Sequence, residues 1–140
     1  MLSSFGLSDV GCVRTNNEDS FLVDPGLGLY IVADGMGGAE KGEVASELAI
    51  ATLFDAFYHH PPELRPEEAL ERSFQLANAV VYREGQQLRF GMMGTTLVAC
   101  LVVEDRAIIA NVGDSRAYLI RRGQWQQLTE DHSWVAEQVR

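Results

Sequence analysis

The feature that most constrains the fold is a set of short strands that are apolar on both faces. Residues 97–103 read LVACLVV, and residues 107–112 read AIIANV, with little of the polar alternation of a half-exposed strand. A strand buried on both sides needs one layer of structure above it and another below it. Only two segments of the chain have helical periodicity, so helices are expected to cover one side of the sheet and leave the other uncovered.

The order of the predicted elements indicates the fold class. The elements are strands at 21–23 and 27–33, helices at 43–58 and from Pro66 onward, and strands at 95–103, 107–112, 117–120 and 124–128. The apolar positions expected in the helices are Val44, Ala45, Leu48, Ala49, Ala51, Thr52 and Phe54, then Ala69, Leu70, Phe74, Leu76, Ala77, Val80 and Val81. This order predicts an α+β domain with its helices packed on one sheet face.

Composition excludes several classes of partner. The chain has 140 residues, 46% of them hydrophobic, which predicts one soluble globular domain and not a disordered chain. A net charge of −9 argues against nucleic acid as a partner, and no apolar run approaches the roughly 20 residues that cross a bilayer. The two cysteines, Cys12 and Cys100, sit in apolar segments without CxxC spacing, and the N-terminus lacks the pattern of a secretion signal. Both observations indicate a cytoplasmic protein with reduced thiols.

The first candidate site is the segment IVADGMGG at residues 31–38. An apolar strand there runs into the carboxylate of Asp34, and the glycines that follow leave backbone carbonyls uncrowded. Hard cations such as Mg²⁺ and Mn²⁺ prefer carboxylate, carbonyl and water oxygens. The same pattern occurs in ordinary turns, so the segment by itself predicts either a metal site or a turn into the next helix.

Three further polar clusters accompany it. In residues 9–19, Arg14 precedes an acidic pair and could bind a phosphoryl group, or could form a surface ion pair. Residues 110–118 place a Gly-Asp-Ser-Arg cluster containing Asp114 between two apolar strands, where a plain hairpin is the alternative. Residues 128–133 bring Asp131 and His132 to the end of the last strand. Each cluster is inconclusive alone.

Taken together and in this order, the motifs resemble the bacterial form of the metal-dependent Ser/Thr protein phosphatases of type 2C. The matching stretches are SDVGCVRTNNEDS, VADGMGGAEKGEVAS, MGTTLVAC, ANVGDSRAYLIR and LTEDHS. They run from Ser8 to Ser133, which is nearly the whole chain. The resemblance implies a β-sandwich flanked by antiparallel helix layers, and an enzyme that hydrolyses phosphoserine and phosphothreonine in proteins.

The resemblance also implies roles for particular residues. Asp34 would bridge two Mg²⁺ or Mn²⁺ ions, and the Gly35 carbonyl would ligate one of them. Glu18 would be an outer metal ligand or would orient a metal-bound water, and Arg14 would hold the substrate phosphate. Asp131 matches a position associated with a third, weaker metal. The substrates would be proteins phosphorylated by a Ser/Thr kinase in signal transduction, and neither nucleic acid nor a membrane is implied.

The sequence departs from the family pattern near the proposed leaving-group acid. Eukaryotic relatives have a histidine where this chain has Met36, and many bacterial relatives have one where this chain has Ala39. His132 is the imidazole that lies within one of these motifs, which makes it a candidate for this acid. A structural histidine in a turn or in the core is at least as good an interpretation. Asp114 falls where the family has a structural carboxylate and is not assigned to metal.

The chain is also shorter than the family domain. We expect residues 1–140 to be the N-terminal portion of a single phosphatase domain, with the second helix layer, the flap and two further metal carboxylates outside it. Such a portion would expose a large apolar face and self-associate, hold metal weakly and turn over slowly. The alternative is a truncated, catalytically silent module that binds phosphorylated or regulatory partners.

Overall fold

The computed structural model describes residues 2–12, 17–37, 41–87 and 93–131. Seven strands and two helices lie within these ranges. They are β1 (Asp19–Asp24), β2 (Leu29–Met36), α1 (Lys41–Tyr58), α2 (Pro66–Gln86), β3 (Gly94–Thr95), β4 (Leu97–Val103), β5 (Arg106–Val112), β6 (Tyr118–Arg121) and β7 (Gln124–Gln127). The predicted order of strands, two helices and further strands is confirmed.

The strands form one main sheet and one hairpin. Strands β1, β2, β4 and β5 lie side by side in that order, β3 pairs with the end of β2, and every pairing is antiparallel. Strands β6 and β7 pair only with each other within the described residues. The α+β class is therefore confirmed. Of the sandwich that the resemblance implies, the described residues contain this sheet, its helix layer and the hairpin.

The two helices form one layer on one face of the sheet. Helix α2 starts with Pro66 in its first turn, where proline loses no intrahelical hydrogen bond, and Glu67 and Glu68 suit the positive end of the helix dipole. Helix α1 packs against α2 and against β2. The largest fully buried apolar side chains all lie at this junction: Leu29, Ile31, Leu53, Leu70 and Leu101. The core therefore supports the inner side of β2.

The helix faces differ from the prediction at a few positions. Val44 and Leu76 were expected to be buried but are 51% and 48% exposed. Ser46 and Ser73 are buried instead, and each hydroxyl donates a hydrogen bond to a backbone carbonyl of its own helix. A small hydroxyl that is satisfied locally can face the core, which hydrophobic periodicity does not detect.

Strand β2 is longer at its C-terminal end than predicted. The sequence indicated that the strand ends at Ala33 and that a glycine-rich bend starts at Asp34. The structure continues the strand to Met36, because its last two residues pair with β3. At the other end, β2 starts at Leu29 and not at residue 27, since Gly28 has a φ of 70° within the preceding turn.

The sheet face that points away from the helices carries apolar side chains. Phe21 and Val32 lie opposite each other in the β1–β2 register and are 42% and 49% exposed. Residues 2–9 run over this face and enclose a cavity of about 840 Å³ against it. Neither of the helices in the described ranges combines the length and apolarity needed to span a membrane. In the described residues this face therefore has no helix layer, as expected, but residues 2–9 cover part of it.

Candidate metal centre at the end of β2

Asp34 lies near the C-terminal end of β2, on the face of the sheet that points away from the helices. Side chains alternate along this strand, so Ala33 and Gly35 are buried toward α1 while Asp34 and Met36 are exposed. The carboxylate of Asp34 is therefore accessible from solvent, and the Gly35 peptide lies against the helix layer.

The backbone of Asp34 is held on both sides by Thr96. The Asp34 N–H donates to Thr96 Oγ1 at 3.0 Å, and the Thr96 N–H donates to the Asp34 carbonyl at 2.9 Å. Thr96 is only 6% exposed, and its hydroxyl also shares a hydrogen bond with Ser115 Oγ. These contacts explain why β3 and β4 are separate strands, because Thr96 bonds to the Asp34 peptide between them.

Glu18 lies at the point where two glycines bring backbone segments together. A Cβ on Gly35 would overlap the Gly42 carbonyl oxygen, and a Cβ on Gly42 would overlap Glu18 Oε2. The same Gly42 Cβ position lies 3.0 Å from the Gly35 carbonyl carbon. Because both positions lack side chains, the Glu18 carboxylate and the Gly35 carbonyl group converge beside the first turn of α1.

The structure adds Asp19, which the sequence did not single out as a site residue. In the antiparallel register, Asp19 lies directly opposite Asp34, and both side chains are exposed. Opposed residues of antiparallel strands project on the same face, and two like charges there are unfavourable without a cation. The adjacent acids in the segment NNEDS were a signal, but the strand register was needed to pair one of them with Asp34.

Asp131 forms a two-pronged ion pair with Arg116. Nε and Nη2 of Arg116 donate to Oδ1 and Oδ2 of Asp131 at 2.9 and 2.6 Å, and this hydrogen bonding raises the pKa of Arg116. Both carboxylate oxygens are therefore engaged by a guanidinium. A metal ion at Asp131 would have to compete with Arg116.

Asp114 lies in the loop between β5 and β6 and is exposed. The residues around it attach the loop to its surroundings: Asn111 donates to the Glu130 carbonyl at 2.8 Å, and the Ala117 N–H donates to Thr129 Oγ1 at 3.2 Å. This loop, residues 113–116, therefore has a fixed place between β5 and the 128–131 segment.

Three positions from the sequence prediction lie outside the described residues: Arg14, Ala39 and His132. Met36, which occupies the place of the eukaryotic histidine, is 59% exposed at the end of β2. A thioether cannot donate a proton, so Met36 supplies no acid there.

The two cysteines differ in their surroundings. Burial raises the pKa of the Cys100 thiol, which keeps it protonated and poorly nucleophilic. Cys12 is exposed, in contrast to the apolar setting that its neighbours in sequence indicated. Cys100 lies opposite Tyr30 in the β2–β4 register, four residues before Asp34 along β2.

The donor set at this end of the sheet suits a hard divalent cation. Among residues 2–12, 17–37, 41–87 and 93–131, no three His, Cys, Asp or Glu side chains converge as they would around a complete metal site. Glu18 Oε2 is nevertheless buried with no hydrogen-bond partner in those ranges. Burying an unpaired carboxylate oxygen is unfavourable, and a cation beside the Gly35 carbonyl would offset that cost. The residues present fit Mg²⁺ or Mn²⁺ as part of a larger ligand set.

Comparison with known proteins identifies serine/threonine phosphatases as relatives. The chain is 43% identical to the serine/threonine phosphatase stp of Listeria monocytogenes, over 95% of this chain and 56% of the relative. It matches the crystal structure of the Mycobacterium tuberculosis serine/threonine phosphatase PstP/Ppp with a TM-score of 0.78 and 38% identity, over 95% of this chain and 56% of that one. A structure of the PstP catalytic domain in complex with two manganese ions matches with a TM-score of 0.77 and 38% identity, over 95% and 57% of the two chains.

These matches are consistent with one another along the sequence. The chain spans about half the length of the curated relatives it matches. The family model described as protein phosphatase 2C matches residues 13–139, which include every motif quoted above from Arg14 onward. This chain therefore belongs to the protein phosphatase 2C family.

Proposed function

We propose that this chain supplies one half of the active site of a phosphatase that hydrolyses phosphoserine and phosphothreonine in proteins. The observation that carries the proposal is Glu18 Oε2, which is buried beside Gly42 with no hydrogen-bond partner among the described residues. Glu18 directly precedes the strand β1, which pairs with the strand that carries Asp34. Membership of the family and the serine/threonine phosphatase relatives support the reaction class. Residues 1–140 are, in this proposal, the N-terminal portion of a single phosphatase domain.

Three groups would hold the metal ions. Asp34 would bridge two ions from the exposed end of β2, while the Gly35 carbonyl and the Glu18 carboxylate would bind one of them. The cofactor would be Mg²⁺ or Mn²⁺, a choice supported by oxygen ligands and by the manganese complex of the related PstP domain. Bound at this place, the ions would neutralise phosphate charge and supply a nucleophilic water at neutral pH.

Arg14 would hold the phosphate of the substrate. Its planar guanidinium can donate two hydrogen bonds to one phosphoryl group, and the adjacent metals would take the remaining oxygens. Water oxygen attacks phosphorus, the bond to the serine or threonine oxygen breaks, and that oxygen takes a proton, releasing inorganic phosphate. Met36 offers no proton, so that proton comes from water or from another group of the site.

Asp131 would bind a third metal ion, more weakly than the two ions at Asp34 are bound. Its bidentate bond to Arg116 supports the low affinity of such a site, because the guanidinium must be displaced first.

The proposal also includes the substrates and the cellular compartment. The substrates would be targets of a Ser/Thr kinase in cytoplasmic signal transduction, and the free thiols Cys12 and Cys100 suit a reducing compartment.

A second candidate function is a catalytically silent module that binds phosphorylated or regulatory partners. The absence of three converging metal-ligating side chains in the described ranges favours it, since two ions need more ligands than these. This candidate predicts that millimolar Mn²⁺ does not bind the chain in calorimetry, and that phosphopeptides bind without metal.

Hydrolysis of p-nitrophenyl phosphate with millimolar Mn²⁺ tests the proposed activity. We expect a slow, Mn²⁺-dependent rate that Asp34→Asn lowers by at least about tenfold, since a bridging carboxylate is lost. The control is Asp105→Asn, an equal change of charge at an exposed residue of the β4–β5 turn, which should leave the rate unchanged. Equal rates for both variants, or a rate that chelation does not abolish, would reject the proposal.

A further inference from the structure

Gly113 and Ser115 of the Gly-Asp-Ser-Arg loop have no role in the proposed function, yet the loop is connected to the backbone of Asp34 through one residue, Thr96. Thr96 is 6% exposed and lies between β3 and β4. It shares a hydrogen bond with Ser115 Oγ on one side and bonds to the Asp34 peptide on the other. Loop and strand end are thus joined through a buried hydroxyl.

The hydroxyl of Thr96 makes two hydrogen bonds. A threonine hydroxyl has one O–H donor and two acceptor lone pairs. One lone pair accepts the Asp34 N–H at 3.0 Å, and Ser115 Oγ either accepts the Thr96 O–H or donates to the other lone pair. The rotation of the Thr96 side chain is therefore fixed from the loop side, and its lone pair is directed at the Asp34 amide.

The methyl group of Thr96 is confined by the same loop. Gly113 has a φ of 97°, and a Cβ built on it would lie 2.7 Å from Thr96 Cγ2. Only glycine adopts this backbone angle without strain, and only glycine leaves room for the methyl. Both branches of Thr96 therefore meet residues 113–115, so the loop determines the position of Thr96.

We propose that Thr96 and Ser115 are positioning residues, which fix the Asp34 peptide so that its carboxylate and the next carbonyl, that of Gly35, keep their metal-binding geometry. The inference rests on the proposed function, because it assigns Asp34 and Gly35 to metal. It gives the Gly-Asp-Ser-Arg loop a role that does not require Asp114 to bind metal. Partners that orient metal ligands typically contribute a factor of about 10 to 100 in metal affinity.

The test compares four variants of the chain. Thr96→Val removes the hydroxyl at nearly constant volume, Thr96→Ser restores it, and Ser115→Ala removes only the second hydroxyl. The control is Ser73→Ala, because Ser73 is 1% exposed and its Oγ also bonds to a backbone group, the Ala69 carbonyl within α2, away from the loop. Each variant is measured for Mn²⁺ affinity, for hydrogen exchange of the Asp34 amide without metal, and for stability in denaturant.

The proposal predicts a pattern that loss of stability alone does not produce. Thr96→Val should weaken Mn²⁺ binding by roughly tenfold or more. It should also speed exchange of the Asp34 amide by about threefold to tenfold, the size expected for one lost hydrogen bond. Thr96→Ser should behave as wild type, and Ser115→Ala should show smaller changes in the same direction. Ser73→Ala should lower stability, as the loss of a buried hydrogen bond does, with Mn²⁺ affinity and Asp34 exchange unchanged.

Equal Mn²⁺ affinity and equal Asp34 exchange in Thr96→Val and Ser73→Ala would overturn the inference, as would failure of Thr96→Ser to restore them. Asp34→Asn separates this result from failure of the proposed function. If that variant binds Mn²⁺ as wild type does, or if wild type binds none, the metal assignment fails. The exchange measurement on the metal-free chain then still decides whether the two hydroxyls fix the Asp34 peptide.

Discussion

Oε2 of Glu18 occupies the place where a side chain on Gly42 would begin, so that the carboxylate and the first turn of α1 fit together only at a glycine. The carboxylate is the far end of a flexible side chain and can move aside. A larger residue at position 42 should therefore displace the metal-binding group without unfolding the chain.

Gly42→Ala should weaken Mn²⁺ binding by about tenfold or more while changing the free energy of unfolding by no more than about 2 kcal/mol. Alanine is the better helix former by about 1 kcal/mol, which offsets part of the overcrowding. Titration calorimetry and denaturant unfolding measure the two quantities. The control is Gly85→Ala in α2, where the nearest atom to the new Cβ is Met93 Cγ at 3.6 Å, an ordinary contact.

The effect of Gly42→Ala should depend on Glu18. In a Glu18→Ala background, adding Gly42→Ala should cause no further loss of Mn²⁺ affinity, because the displaced group is already absent. If the double variant instead loses the sum of the two single losses of Mn²⁺ affinity, Gly42 acts through the helix backbone and not through the carboxylate.

Asp131 should bind metal more tightly once its guanidinium partner is removed. Arg116→Gln removes the guanidinium that engages both carboxylate oxygens, so the weakest Mn²⁺ affinity should rise, whereas Asp131→Asn should abolish that weakest binding step. Both side chains are more than a third exposed, so loss of the ion pair should change stability little. Unchanged weak binding in both variants would remove Asp131 from the metal site.

Cys100 should react with a disulfide reagent more slowly than Cys12 in the folded chain. Burial raises the pKa of Cys100 above its ordinary value of 9.0, so less thiolate is present at any given alkaline pH. The pKa of this thiol is higher in the folded chain than its ordinary value of 9.0, so its contribution to stability is fully present below about pH 9.0. That contribution is lost as the pH rises from 9.0 through the folded pKa. Mass spectrometry of the labelled peptides gives both rates, and faster labelling of Cys100 would contradict the burial.

The sheet face that points away from the helices should cause the chain to self-associate. Phe21 and Val32 are cross-strand neighbours on that face, and their joint replacement by serine should lower the sedimentation-derived association constant. The control is Leu76→Ser, an apolar side chain of similar exposure on α2, which should have no effect. Equal association of all three proteins would place the contact elsewhere.

The sequence was sufficient for what depends on neighbours along the chain. Helix α2 starts at Pro66 as predicted, since proline and the two glutamates that follow act within one turn. The pairing of Asp19 with Asp34 was not predictable, because it depends on a register that the 25–28 turn determines. The Asp34–Thr96 bonds join residues 62 positions apart, and hydroxyls at such distances leave no periodic signal.

The polar residues of the core were also not predictable from the hydrophobic pattern of the sequence. Ser46 is buried and shares a hydrogen bond with Ser20 Oγ at 2.9 Å, whereas Val44, which the hydrophobic pattern placed in the core, is exposed. The resemblance to phosphatases supplied Glu18 and Gly35 as site residues, and the structure supplied the physical reason: two glycines allow the carboxylate and the carbonyl to meet.

The most direct test of the central claim is where Mn²⁺ binds on this chain. Paramagnetic broadening of amide signals should appear first around Glu18, Asp34 and Gly42, at millimolar Mn²⁺ or below, and Asp34→Asn should suppress it. Broadening that begins instead at the acidic first turn of α2, near Glu67 and Glu68, and persists in Asp34→Asn would contradict a metal centre at the end of β2.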